Sequence, residues 1–450
     1  MNRSMKDYGT TDYGTTGLRA GTREGGRPAR LARSQLVSAG ACLATLMALT
    51  VLPARAQEAL RDSLTGEAAA QARSVQMGSL PYTLKSGDFK MLVAPSLDLS
   101  WNDNINTAKT GAEQDYIVQP GVQVTASYPI TAQQVLSLNV GVGYEKYLEH
   151  NQYSTLTLQS GTELSFDISV KNFLINLHDR ASVVQDTSQQ PELANSANYA
   201  TINNTAGLSA TCDLNKVTLT AGYDHANVIA TTSQYDSVDS ATEDVFARAG
   251  LQVYPGVTTG VETTAAFTSY DYAILNNNQN YSAGLYADWL PGKALDVQAR
   301  GGYTITQIQH TSLSIETSDV PSWYAGLTIS HQITDAIGYS LDAGHEVQSG
   351  IQADVVEDYY ARPSVHWSII KNLGLTTGLS YEHGNQGEGN VFGNLTETYD
   401  WLGANIDVSY AIMKRLSLAL NYRLTVRSSN LPTDEYTQNV VGIALTYLTP

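Results

Sequence analysis

The chain has 450 residues, 43 acidic against 26 basic side chains, a formal net charge of −17 and only two cysteines. That acidic balance argues against nucleic acid as a partner, because reading a phosphate backbone needs a basic face. So few thiols exclude a disulfide scaffold and a thiolate metal centre.

Arg27, Arg30 and Arg33 precede an apolar run, Leu36 to Leu52, that ends in Ala54-Arg55-Ala56 before Gln57. This reads as a secretory signal peptide over 1–56 with a long leading region. The run is short for a spanning helix and no other segment comes close, so no helical membrane anchor is expected. A repeated Asp-Tyr-Gly-Thr-Thr, from Asp7 and from Asp12, suggests a start site placed upstream of the true one. Cys42, in Ala39-Gly40-Ala41-Cys42, lies inside the apolar run instead of after it, which argues against lipidation. Residues 1–56 hold eight of the 26 basic and three of the 43 acidic residues, so removal leaves 18 against 40, or −22, with Cys212 as the single cysteine.

Residues 57–88 read as a short periplasmic segment, partly helical. Glu58 to Gln76 is rich in Ala, Glu, Gln and Arg and stops near Gly78 and Pro81. It is too short for the plug of a TonB-type receptor. From Phe89 on, period-two segments follow one another near 89–100, 116–128, 134–147, 154–170, 173–183, 199–212, 217–227, 243–254, 258–271, 280–290, 294–308, 322–333, 336–348, 357–370, 373–383, 397–411, 415–427 and 435–447. Their connections alternate between short turns, such as Lys171-Asn172 and Lys371-Asn372, and longer loops rich in Asn, Gln, Ser, Thr and Gly. That alternation is expected of an antiparallel up-and-down transmembrane β-barrel of about 18 strands over 89–450, with tight periplasmic turns and longer external loops.

The last hairpin has the strictest pattern. Leu416, Leu418, Leu420, Tyr422, Leu424 and Val426 alternate with Ser417, Ala419, Asn421, Arg423, Thr425 and Arg427, which suits a strand with lipid on one face and water on the other. Tyr outnumbers Phe 27 to six, and Tyr prefers an interface to a dry core. Tyr128, Trp289, Trp367, Tyr410 and Tyr447 fall beside short turns, and Tyr116, Tyr144, Tyr223, Tyr381 and Tyr422 near long loops, as two girdles would. A soluble β-sandwich or solenoid also alternates, but seldom with so much Tyr or such turns. Pro120 and Pro363, inside predicted strands, count mildly against a barrel.

The same alternation sends Glu145, Glu163, Asp167, Glu262, Asp296, Asp342 and Asp407 to the lumen, with Arg300, Arg362, Arg423 and Arg427 as basic counterparts. An acid-rich lining favours cations in a pore, whereas charges that pair with one another would only brace the wall. The arginines of the fourteenth and seventeenth predicted strands could form a positive side opposite the acids. Eight His are scattered without metal or nucleophile-elbow spacing, so neither catalytic residues, cofactor nor metal is expected.

The opening strand, Pro95-Ser96-Leu97-Asp98-Leu99-Ser100-Trp101-Asn102-Asp103-Asn104-Ile105, resembles the aromatic, polar, Asp-Asn signature of the β-barrel porin 2 family of Gram-negative outer-membrane proteins. The likeness covers about 89–450. It implies a porin-like channel in the cell outer membrane, in a group linked in part to exopolysaccharide export. The partners it implies are outer-membrane lipid, the barrel-assembly and periplasmic chaperone machinery, and a polysaccharide. Such barrels typically end in an aromatic residue, whereas this chain continues past Tyr447 with Leu448-Thr449-Pro450. Two function classes follow: a channel for ions, small solutes or a secreted glycan, and a non-conducting structural or adhesive surface protein.

Overall fold

The computed structural model describes residues 82–185, 187–309, 319–386 and 396–449. The predicted signal peptide and the helical stretch Glu58 to Gln76 lie outside them. Among the described residues no helix is long and apolar enough to cross a membrane, and strands carry the architecture.

A short strand β1 (Leu84–Ser86) turns at Gly87, whose φ of +59° suits glycine, and pairs with β2 (Phe89–Asn102). Thus 84–86 is a strand in the segment expected to be partly helical. The wall continues through β3 (Asp115–Thr131), β4 (Gln134–Tyr147), β5 (Thr155–Val170), β6 (Phe173–Gln185), β7 (Ala200–Asp213), β8 (Val217–Ala230), β9 (Ser240–Tyr254) and β10 (Val257–Tyr270). It is completed by β11 (Asn277–Trp289), β12 (Leu295–Gln309), β13 (Val320–Gln332), β14 (Ile337–Gln348), β15 (Val356–Ile370), β16 (Leu373–Gln386), β17 (Glu397–Met413), β18 (Leu416–Ser429) and β19 (Tyr436–Tyr447). Each strand pairs antiparallel with its chain neighbours, and β19 pairs with β2 from Val440↔Asn102 to Thr446↔Ser96. The eighteen strands β2 to β19 therefore form a closed barrel without a free edge.

Several strands outrun their predicted ends at the long-loop side. β9 starts at Ser240 and β11 at Asn277, because ladder hydrogen bonds continue where the apolar alternation has already stopped. The two prolines sit at gaps in the ladders. The β3–β4 ladder is interrupted between Val118↔Lys146 and Gly121↔Gly143, and the β15–β16 ladder between Ala361↔Tyr381 and Ser364↔Gly378, with the register kept across each gap. Each missing N–H thus falls where no partner is required.

The packing is inside out. The large exposed side chains, from Leu97 and Leu99 to Ile443 and Leu445, stand on outward faces, and all ten girdle aromatics are among them. One small buried apolar cluster joins Ile308 of β12 and Val347 of β14 with Val355, and a larger one is built from loops against Val228 and Ala230 of β8. In the larger one, Leu193, Tyr199, Tyr235, Val238 and Ile351 pack together from three connections at the long-loop end.

The Trp-Asn-Asp-Asn signature closes the barrel at that end. Asp103 accepts the Asn439 backbone N–H and Nδ2–H, both at 2.7 Å, across the β2–β19 seam. Buried Asn104 donates to Thr437 O and Ala108 O at 2.9 Å, and its own carbonyl accepts from Gln438 Nε2 at 2.7 Å. At the short-turn end, the Thr449 N–H and hydroxyl donate to Val93 O at 3.0 and 2.8 Å, and Leu448 N–H donates to Arg415 O. The residues beyond Tyr447 thus extend the seam.

Candidate functional site

The side-chain contacts and registers show which of the expected lumen residues meet. Glu163 lies 3.7 Å from Arg180, its register partner on β6. Arg248 on β9 stands between Glu262 at 3.9 Å and Asp288 at 3.6 Å, with its guanidinium 3.4 Å from the Tyr286 ring centroid, and Tyr324 donates to Glu262 at 3.0 Å. Arg362 donates to Glu382 at 2.7 Å. Asp167 accepts from Asn176 at 2.6 Å, and Asn176 contacts His178, whose other ring nitrogen lies 3.1 Å from Asp224. Glu145 accepts from Gln119, Asp342 from Thr328 and Asp407 from Asn405. Arg300 lies across Gly326, where a Cβ would come within 2.9 Å of its Nε, and Asp296 shares the same strand face. Arg180, Arg248 and Arg362 thus pair with carboxylates of nearby strands, while Arg423 and Arg427 of the expected positive side contact the β6–β7 connection.

Arg427 is tied most firmly, and it holds a loop. Its side chain is buried, pairs with Glu397 at 2.7 Å and lies over the Tyr399 ring. Its Nε donates to Pro191 O at 2.7 Å and its Nη1 to Asp434 O at 2.6 Å. The planar fork of donors suits this multiple grip on carbonyls and a carboxylate. The β6–β7 connection therefore crosses the mouth and docks on β16 to β18. Trp401 Nε1 donates to Ser188 O at 3.2 Å, Arg423 to Ser188 Oγ at 3.2 Å, and Gln386 Nε2 to Glu192 O at 3.2 Å.

Other loops lock onto this one. The Ile351 N–H donates to the Glu192 carboxylate at 2.6 Å, and Asp354 accepts from the Asn276 backbone and side chain at 2.8 Å. Thr107 and Ser196 exchange hydrogen bonds at 3.1 and 3.2 Å. Tyr235 meets Tyr199 edge to face at 4.9 Å and Ser196 through its hydroxyl; burial raises its phenol above the ordinary value, and the Ser196 hydrogen bond works against that rise. Beneath the loop, Glu192, Glu346, Asp358 and Glu382 surround Arg362 and Tyr399 in a cavity of about 10 Å³, room for about one water molecule. The arrangement is a constriction of the mouth: the apolar loop cluster rests on Val228 and Ala230 of β8, and carboxylates and arginines tie the β6–β7 connection to β16 to β18.

Glu192, Glu397, Tyr399, Trp401 and Gln386 carry this constriction and were not expected from the sequence pattern. Two signals for it were present. Leu193, Ile351 and Tyr235 are apolar or aromatic residues inside otherwise polar loops, and Tyr399 and Trp401 put aromatics on the inward parity of β17.

Solved structures similar to the chain include OpdK of Pseudomonas aeruginosa, determined with vanillate, at 10% identity and TM-score 0.43, covering 80% of this chain and 98% of that one. OpdL of the same organism matches at 12% identity and TM-score 0.44 over 81% and 99%. OccAB3 of Acinetobacter baumannii matches at 10% and 0.42 over 80% and 98%. No curated protein matches. The family model described as Putative beta-barrel porin 2 matches residues 81–448, nearly the whole of the described barrel, and the chain belongs to that family.

Proposed function

We propose that this protein is an outer-membrane channel of a Gram-negative bacterium, passing ions or small solutes through a net acidic lumen narrowed by its own loops. What supports this reading is a closed barrel of a porin family, together with the excess of acidic over basic residues in the sequence at positions of inward parity. Carboxylates outnumber arginines at the positions of inward parity, and the net field of such a lining favours cations. Short turns then face the periplasm and long loops the exterior. Cargo as large as a secreted polysaccharide would require the 187–199 loop to withdraw, because it fills the mouth. The assigned role involves no catalysis.

The interlocked loops favour a second reading, a plugged barrel with a structural or adhesive role. Planar-bilayer recording of the folded protein separates the two. The channel reading expects conductance with a cation preference that weakens as salt screens the wall, and a shift toward anions in the triple variant Glu145→Gln, Asp296→Asn, Asp407→Asn. Silence from folded protein, and from a variant with the loop freed, leaves the plugged reading.

A further inference from the structure

Beneath the inserted loop the carboxylates outnumber the arginines that meet them. Glu346 on β14 and Asp358 on β15 are register partners, directly opposite each other in the ladder, and both are buried. Like charges in that position repel, because facing residues of an antiparallel pair hold their Cβ atoms about 5 Å apart. Glu382 on β16 lines the same cavity, and Glu192 comes down from the 187–199 connection as a fourth carboxylate. Of the bases, Arg362 donates to Glu382 at 2.7 Å, Arg427 pairs with Glu397 of β17 at 2.7 Å, and Arg423 reaches Ser188 of the loop at 3.2 Å. Five carboxylates thus surround the site against three guanidinium groups, and Asp342, the register partner of Arg362, stands on the same face of β14. Asp354, in the adjoining connection, is turned to Asn276.

The loop itself covers this cluster. Gln190, Pro191 and Glu192 close the cavity against Tyr360 and Tyr399 of the wall, and the space left holds about one water molecule. Asp358 accepts from Gln348 Nε2 at 2.5 Å and from the Tyr399 hydroxyl at 3.2 Å, both neutral donors. With the loop down, water to solvate an excess of negative charge is lacking; with the loop lifted, lumen water reaches every one of these carboxylates.

We propose that the 187–199 loop is a proton-controlled gate, which docks with at least one proton held among Glu192, Glu346 and Asp358 and lifts from the mouth as rising pH removes it. The sign follows from the charge count. The docked state buries net negative charge, so it binds protons more tightly than the lifted state, and docking is fully supported at low pH and weakens as pH rises. The bonds from Arg427 to Pro191 O and Asp434 O involve no carboxylate, so the loop keeps its anchor in acid. The docking step stands on this geometry alone; that it closes a pore rests on the channel reading above.

The test is hydrogen–deuterium exchange of the full, folded protein from about pH 5 to 8, with protection over 187–199 corrected for the pH dependence of intrinsic exchange. Where the cluster titrates, protection should fall about tenfold per pH unit for each proton released. Glu346→Gln with Asp358→Asn removes the facing charges and should keep the loop down at high pH, whereas Glu145→Gln, a lumen acid on β4, should leave the wild-type response. Flat protection in the wild type overturns the proposal, as does a pH response that survives in the Glu346 and Asp358 double variant with heat-modifiable mobility intact. Should that variant not fold, Glu192→Gln decides, since it alters the loop and not the wall: an undiminished response overturns the proposal. Protection that follows added calcium and not pH would assign the excess charge to a cation and overturn it as well. Single-channel recording separates the two readings. Silence at every pH while protection still moves sinks the channel and leaves the switch; conductance with protection flat in pH sinks the switch alone.

Discussion

Arg427→Ala removes the anchor of the inserted loop, and its cost follows from what is left behind. The guanidinium is buried, and among the described residues Glu397 would keep Ser429 and Gln386 as donors to its buried carboxylate, at 2.6 and 3.2 Å. Breaking a buried ion pair in this way costs about 3 to 5 kcal/mol. The donor bonds to Pro191 O and Asp434 O go with it, although the terms overlap and do not add. Because these bonds tie a loop to a wall that stands without them, the loss falls on loop docking and not on the barrel. A docking loss of about 3 kcal/mol is somewhat over a hundredfold in the open population, so amide exchange over 187–199 should speed up by about two orders of magnitude. Arg427→Lys keeps the charge but loses the fork, and should fall between the two. Arg427→Met with Glu397→Gln leaves no buried charge and should cost less than Arg427→Ala alone. The assay is hydrogen–deuterium exchange on folded protein, with single-channel recording alongside, where freeing the loop should raise conductance. Unchanged exchange over 187–199 in Arg427→Ala, with heat-modifiable mobility intact, would refute the anchoring argument.

Leu418→Arg or Ile443→Arg places a charge on the outward face and should cost about 2 to 4 kcal/mol in urea titrations, against much less for Gln298→Arg on the inward face; equal damage would mean the faces are misassigned. Asp103→Ala strips two acceptor bonds from the β2–β19 seam and should cost about 1 to 3 kcal/mol, with early loss of the folded band on heating. A protease site placed in the 384–396 loop should be cut on intact cells and one at Lys371-Asn372 should not, and the reverse pattern would invert the barrel.

The period-two alternation determined the strands, their number and which face each residue takes, because in a barrel every residue points either to lipid or to lumen and composition follows that choice. Leu418 and Leu420 outward against Arg423 and Arg427 inward needed no structure. Alternation says only that a side chain faces the lumen; what it meets there depends on register and on loops. Ala419 and Ala444 read as open lumen neighbours, yet they are 2% and 4% exposed, because they pair with each other and with Asp98 along one packed row. Register turned Arg362 and Glu382 from two lining charges into one ion pair. The constriction was decided at longer range still, since Arg427 and Pro191 are brought together only when the barrel closes and the β6–β7 loop reaches across its mouth. No local period encodes that contact. Leu193 and Ile351, apolar residues in loops, leave water by packing with Tyr199, Tyr235 and Val238 against Val228 and Ala230 of β8, and that burial holds the loop where Arg427 reaches it.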